Sequence, residues 1–193
     1  LSLTAILLIL PLFFGITTGF KENPYKIIYR SLAALLAGLF SANIFFATPI
    51  NFSLSRMNLG VQKRVSSTSI SITTIVSRGG SSMIASFTIA SLIYATTGNI
   101  PSLSLSLFIA LCSTFVSFFS SFFLGFEVFF ITYFTLKMLS IDLKTAEMSL
   151  VGILPLLCGL GTMIDVLIGS FTSATSNIWI LQKEKGLSQL VNV

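Results

Sequence analysis

Apolar residues run in long stretches along this chain, and the polar positions between them divide it into segments of unequal length. Leu3–Phe20 is long and apolar enough for one membrane span of about 20 residues, so residues 1–20 read as a span. Lys21–Lys26, with its Asn23-Pro24 pair, reads as a turn. A helical pattern over Tyr25–Ala42 is interrupted by the polar and aromatic run Asn43–Pro49 and resumes over Ile50–Gly60. Val65–Arg78 and Met83–Thr96 flank a break at Gly79-Gly80, and Gly98–Pro101 is a loop. Ser102–Phe122 and Glu127–Leu139 flank a second interruption around Gly125. Thr145–Ile180 reads as one long helix with weak points at Gly159, Gly161 and Gly169, followed by a tail over residues 181–193. The arms on either side of each break are too short or too polar to be ordinary single spans. They read as re-entrant hairpins and broken helices, which a bilayer tolerates only where they are buried in protein or line a cavity. The expected fold is therefore an all-α integral membrane domain: a span (1–20), a hairpin (25–60), a broken helix (65–96), a second hairpin (102–139) and a last helix (145–180).

Composition agrees. Of the 193 residues 54% are hydrophobic and 9% charged, against roughly 25% charged in soluble domains, and the mean hydropathy is +0.96. The 19 phenylalanines suit lipid-facing surface. No hydrophilic linker divides the chain. It opens on Leu1 without the positive n-region of a signal peptide, and so reads as a piece of a longer membrane protein. If the loops at Lys21–Arg30 and Arg56–Arg64 and the tail after Lys183 share one side, that side holds eight Lys/Arg, and the other keeps only Lys137 and Lys144. By the positive-inside rule the tail and the first hairpin's base are cytoplasmic, in a multi-pass protein of the plasma membrane. The net charge of +5 thus reports topology and not nucleic acid.

Three charges stand alone in apolar surroundings. Asp165 is the only charge in the 35 residues between Glu147 and Lys183, and 48 uncharged residues separate Arg78 from Glu127. An intramembrane charge costs about 3 kcal/mol or more and ordinarily faces a cavity, an ion or a partner. Enzyme readings fare poorly. With no His there is no base for a serine nucleophile, and no phosphate loop, cofactor box or metal cluster is present. Cys112 and Cys158 lie in separate apolar segments and suggest neither a disulfide nor a metal site.

The order span, hairpin, broken helix, hairpin, polar-marked helix resembles the C-terminal transport domain of the dicarboxylate/amino acid:cation symporters, the glutamate transporter family. Gly161-Thr162-Met163-Ile164-Asp165-Val166, with Gly169 beyond, is similar to the R-T-M-V-N-V-x-G-D of the family's last helix. Arg56-Met57-Asn58-Leu59-Gly60-Val61 looks like the end of its first hairpin, and Ser77-Arg78-Gly79-Gly80-Ser81 falls on its N-M-D-G-T break. The resemblance covers roughly Gly15–Ile180. It implies a secondary transporter of a small organic solute, an amino acid or dicarboxylate, working by alternating access. It also implies a scaffold preceding this chain and a homotrimer whose contact surfaces are absent here. Carried over by position, the solute-binding residues are Thr48, Arg78, Gly125, Cys158, Thr162 and Asp165, and the ion-coupling positions are Ser77, Gly79, Glu127 and Asp165. Departures are systematic. The family's sodium-binding Asn, Met and Asp become Ser77, Arg78 and Gly79, its later sodium-binding Asp is lost near Gly169, and its side-chain-binding Arg becomes Gly161. Sodium needs oxygen ligands, and a guanidinium repels it. Altered or lost sodium coupling follows, with a proton acting through Asp165 or Glu127 as the expected drive and no cofactor. Arg78 is expected to reach Asp165 as a tethered cation, and Glu127 to be wet beside its tip. The rival reading is a degenerate, non-transporting membrane protein of the same family.

Overall fold

A computed structural model describes residues 11–17, 23–76, 78–120, 123, 125–139 and 151–191, with side chains described as far as residue 184. All regular structure among them is helical: α1 (residues 11–17), α2 (Pro24–Ser41), α3 (Ile44–Met57), α4 (Lys63–Val76), α5 (Gly79–Thr97), α6 (Leu103–Ser117), α7 (Glu127–Met138) and α8 (Leu154–Val191). The all-α expectation holds. One described helix is long and apolar enough to cross a membrane, the segment Leu154–Glu184 of α8.

Everything is organised along α8. Pro155 sits in its first turn, where a missing N–H costs nothing, and the helix then runs 38 residues, past the boundary expected at residue 180. Gly159, Gly161 and Gly169 do not weaken it; they are where neighbours come closest. A Cβ at Gly159 would run into the Leu39 carbonyl, one at Gly161 would lie 3.0 Å from the Ser81 Cα, and one at Gly169 3.2 Å from the Thr73 Oγ1. The stretch 145–150 expected to begin this helix falls outside the described residues.

The helices α2 and α3 form an antiparallel pair. Ala42 ends α2 in the left-handed conformation, and the Asn43 side chain caps α3 by accepting from the Phe45 N–H at 2.9 Å. At the far end Asn58 Nδ2 donates to the Arg30 carbonyl at 3.1 Å. The turn is thus shorter than expected: Ile44–Pro49, read as an interruption, is already helix, with Pro49 inside it. The Pro and the aromatic pair imitated a breaker, but Phe45 and Phe46 simply point outward. The pair lies along α8 from its turn at Gly159 to its base, where the Gln62 N–H donates to Asn177 Oδ1 at 3.1 Å.

The helices α6 and α7 pair in the opposite sense, packing with α5 around Ile89, Ile109 and Leu136, and meeting the N-terminal half of α8 at Leu154, Cys158 and Ile164. Their turn comes at Gly125, whose φ of +77° favours glycine. A Cβ there would lie 4.0 Å from the Ala42 carbonyl oxygen, so the two turns meet. Between them runs α4–α5, antiparallel to α8. Its break is at Arg78 (φ −111°, ψ 33°), just before the expected position, and Gly79-Gly80 open α5. Gly80 is glycine because α5 lies against α8: a Cβ would be 2.6 Å from the Ile164 Cβ and 2.8 Å from the Asp165 nitrogen. The break thus precedes the glycine pair, and Gly80 serves close helix packing.

Candidate functional site

The three isolated charges come together where the turns, the break and the middle of α8 converge. Arg78, Glu127 and Asp165 are 2%, 1% and 1% exposed. Glu127, expected to be wet, is buried because it is the first residue of α7 and faces inward with Val128 and Ile131.

The pairing differs from expectation. Arg78 does not seek Asp165; its Nη1 lies 3.7 Å from Glu127 Oε1. Asp165 instead receives the start of α5. Its Oδ1 accepts from the Gly80 N–H at 2.7 Å and its Oδ2 from the Ser81 hydroxyl at 2.9 Å. An anion on a helix N-terminus satisfies orphan N–H groups and meets the positive end of the helix dipole. The close approach that Gly80 permits puts those donors against α8, so Asp165 has two hydrogen-bond partners and Arg78 acts on it only through space. Sequence spacing could rank Asp165 as the deepest carboxylate, but it could not show that a helix start would reach it first.

The Arg78–Glu127 pair is far less complete. At 3.7 Å it is an ion pair without a hydrogen bond. Among the described residues, Nε and Nη2 of Arg78 and both Glu127 oxygens have no hydrogen-bond partner. The N–H groups of Gly125 and Glu127 approach the carboxylate without reaching hydrogen-bond geometry. Buried polar groups are nearly always satisfied, and a buried charged group left open is costly. Nε and Nη2 form one edge of the guanidinium, the edge that grips a carboxylate bidentately. Along α6 and α7 the hydroxyls of Ser113, Thr132 and Thr135 are buried without a hydrogen-bond partner as well.

The remaining positions from the sequence are quieter. The Thr162 hydroxyl donates to the Cys158 carbonyl within α8 at 2.9 Å, and Cys158 is buried among Ile84, Val128 and Ile131. Thr48 donates to the Ile44 carbonyl at 2.7 Å and meets the Thr74 hydroxyl of α4 at 3.2 Å. Gly79 faces Ile168, and Gly125 shapes its turn. Ser77 lies outside the described residues. The structure thus brings Arg78, Glu127 and Asp165 together and leaves Thr48, Cys158 and Thr162 in helix packing. Among the described residues no group of three or more His, Cys, Asp or Glu stands together as a metal site.

One constellation escaped the sequence reading. Asn51 of α3 bridges to α8: its Nδ2 donates to the Val166 carbonyl at 3.3 Å and its Oδ1 accepts from Ser170 at 2.9 Å and Ser55 at 3.4 Å. An Asn in an otherwise apolar run is the signal that could have found it. No protein-family model, curated protein or solved structure matches this chain.

Proposed function

We propose that this chain forms the solute-binding portion of a membrane secondary transporter of small amino or carboxylic acids, as the resemblance to the glutamate transporter family implies. The helix pairs α2–α3 and α6–α7 are its re-entrant hairpins, and Arg78 and Glu127 are its solute-binding charges. The observation that carries this reading is the Arg78–Glu127 pair, buried where two opposed turns and a helix break meet, with open hydrogen-bonding edges on both partners. Only a polar occupant relieves that arrangement without unfolding it.

A bilayer is the setting that fits the surface. Phe40 is 83% exposed and Leu111 70%, and Phe115, Phe118 and Phe119 are exposed in a row. In water so much apolar surface promotes association, whereas in lipid it is the required exterior. The sequence order helix, paired helices, helix occurs twice, as α1–α4 and α5–α8, which suits alternate opening of the two turns over one central site. Arg78 stands at the position of a sodium ligand in the resemblance, and both Asp165 oxygens are engaged. Transport on this reading is independent of sodium, and a proton gradient is the drive.

The test is uptake by proteoliposomes containing the full chain, supplied with labelled amino acids and carboxylic acids under a sodium gradient, a proton gradient or neither. Uptake that needs Arg78 and ignores sodium supports the proposal. Steep sodium dependence at fixed pH and potential contradicts the coupling, and no uptake of any solute favours the non-transporting reading.

A further inference from the structure

The groove between α4 and α8, at the basic end of the molecule, has a volume of about 580 Å³, within the roughly 300–1,000 Å³ of ligand sites. Its walls are two helical stripes. Thr172, Ser176, Ile180 and Glu184 recur every fourth residue on α8, and Arg64, Thr68 and Ile72 do the same on α4, so each set lies on one face. Small hydroxyl residues hollow out the floor. The Thr172 hydroxyl donates to the Ile168 carbonyl at 2.8 Å and that of Thr68 to the Arg64 carbonyl at 3.0 Å. A wall whose donors are engaged takes a hydrocarbon chain without stranding a polar group. From Glu184 to Thr172 the α8 stripe rises about 18 Å, close to the ~15 Å that one leaflet contributes to a bilayer's hydrocarbon core.

The mouth carries both signs of charge. The Gln62 N–H donates to Asn177 Oδ1 at 3.1 Å and fixes the start of α4 against α8, and Tyr29 and Trp179 are exposed at the same end. Exposed aromatic rings beside Lys and Arg characterise a membrane interface. Arg64 lies inward of the Gln62–Asn177 contact along α4, and Glu184 lies outward of it along α8. Both are exposed, and among the described residues no ion pair joins them. Lys63 and Lys183 stand next to the lining residues and add positive charge that favours a phosphate. Glu184 decides the class of headgroup. A glycerol headgroup would bring its phosphate charge beside this carboxylate with no cation for it, and a choline headgroup has no N–H to donate. We infer that the groove holds a phosphatidylethanolamine, its phosphate on Arg64, its ammonium further out on Glu184 and one acyl chain along the floor. The inference rests on the membrane setting of the transporter reading and not on its solute.

The test is lipid binding to the detergent-purified full chain, read by native mass spectrometry with dioleoyl phosphatidylethanolamine, phosphatidylglycerol and phosphatidylcholine as probes. The ethanolamine lipid is expected to bind about tenfold more tightly than either of the others, the worth of one charge-assisted contact. Glu184→Gln should remove that preference, and Arg64→Met should weaken all three. Ser176→Trp, which fills the groove and alters neither charge, should abolish binding of the ethanolamine lipid. Glu184→Gln, at an exposed position, carries the test alone if Ser176→Trp does not fold. Equal binding of the three lipids, or a preference for phosphatidylglycerol that salt abolishes, overturns the assignment while leaving solute uptake, which does not involve Arg64 or Glu184, as it was. A chain that stays monodisperse without detergent or lipid overturns both the lipid site and the membrane reading.

Discussion

The two halves of the molecule use the same ingredients to different ends. Along α8 from Gly159 to Asn177, the helices α2–α4 bury polar residues that are matched to partners. Asn51 ties α3 to Val166 and Ser170, Asn177 takes the Gln62 N–H, and the Arg56 Nε donates to Ser66 at 2.9 Å. Ser173 is the exception. On the other flank of α8, α5–α7 satisfy Ser82, Thr88 and Ser117 within their own helices but also bury polar groups that are left open: the Arg78 edge, the Glu127 carboxylate, and the hydroxyls of Ser113, Thr132 and Thr135. Satisfied buried networks rigidify a fold, while open ones are tolerated where something else completes them. On the proposed function this is a division of labour, with the first half a fixed mount and the second the place of a ligand. The seam between them is Asp165, fully paired yet next to the open pair.

Substitutions should separate the halves. The largest effect is expected at the seam. Gly80→Ala places a methyl group 2.6 Å from the Ile164 Cβ and forces α5 off α8, at a cost of about 3 kcal/mol in detergent unfolding. Within the mount, Asn51→Ala leaves Ser170 and Ser55 without their shared acceptor. It should cost about 2 kcal/mol with solute uptake by proteoliposomes unchanged; weakened uptake would blur the division. Asp165→Asn keeps the shape but loses the charge on the start of α5, at about 1.5 kcal/mol in detergent unfolding. Gly125→Ala strains the φ of +77° by roughly 1 kcal/mol. It should slow solute uptake more than Asn51→Ala does, as initial rates in proteoliposomes can read.

How far these differences were legible in sequence depends on whether they are local. The paired helices and the break follow from local signals: Asn43 before an apolar run, Gly125 between two apolar arms, glycines next to Arg78. Their boundaries shifted by a few residues because Pro49 sits within α3 and because Gly80 answers to α8 and not to its own strand of sequence. The importance of Arg78, Glu127 and Asp165 was visible from their isolation among apolar residues. Their pairing was not. It depends on which helix start reaches α8 first, a tertiary outcome fixed by the close contacts of Gly80 and Gly161. Thr48, Cys158 and Thr162 carried weight by position alone, and their hydrogen bonds and packing give them structural duties.

The most direct measurement is a double-mutant cycle on unfolding, with Arg78→Met, Glu127→Gln and the two combined. Removing one partner strands the other, so each single variant should lose several kcal/mol, about 3–5 for a buried pair. The double variant should recover part of that loss, giving a coupling energy of about 2 kcal/mol. The matching cycle between Arg78 and Asp165, which interact through space without an ion-pair contact, should give a smaller coupling than the Glu127 cycle. Strong coupling to Asp165 with none to Glu127 would contradict the account, because the buried pair at the meeting of the two turns would then not be the one described.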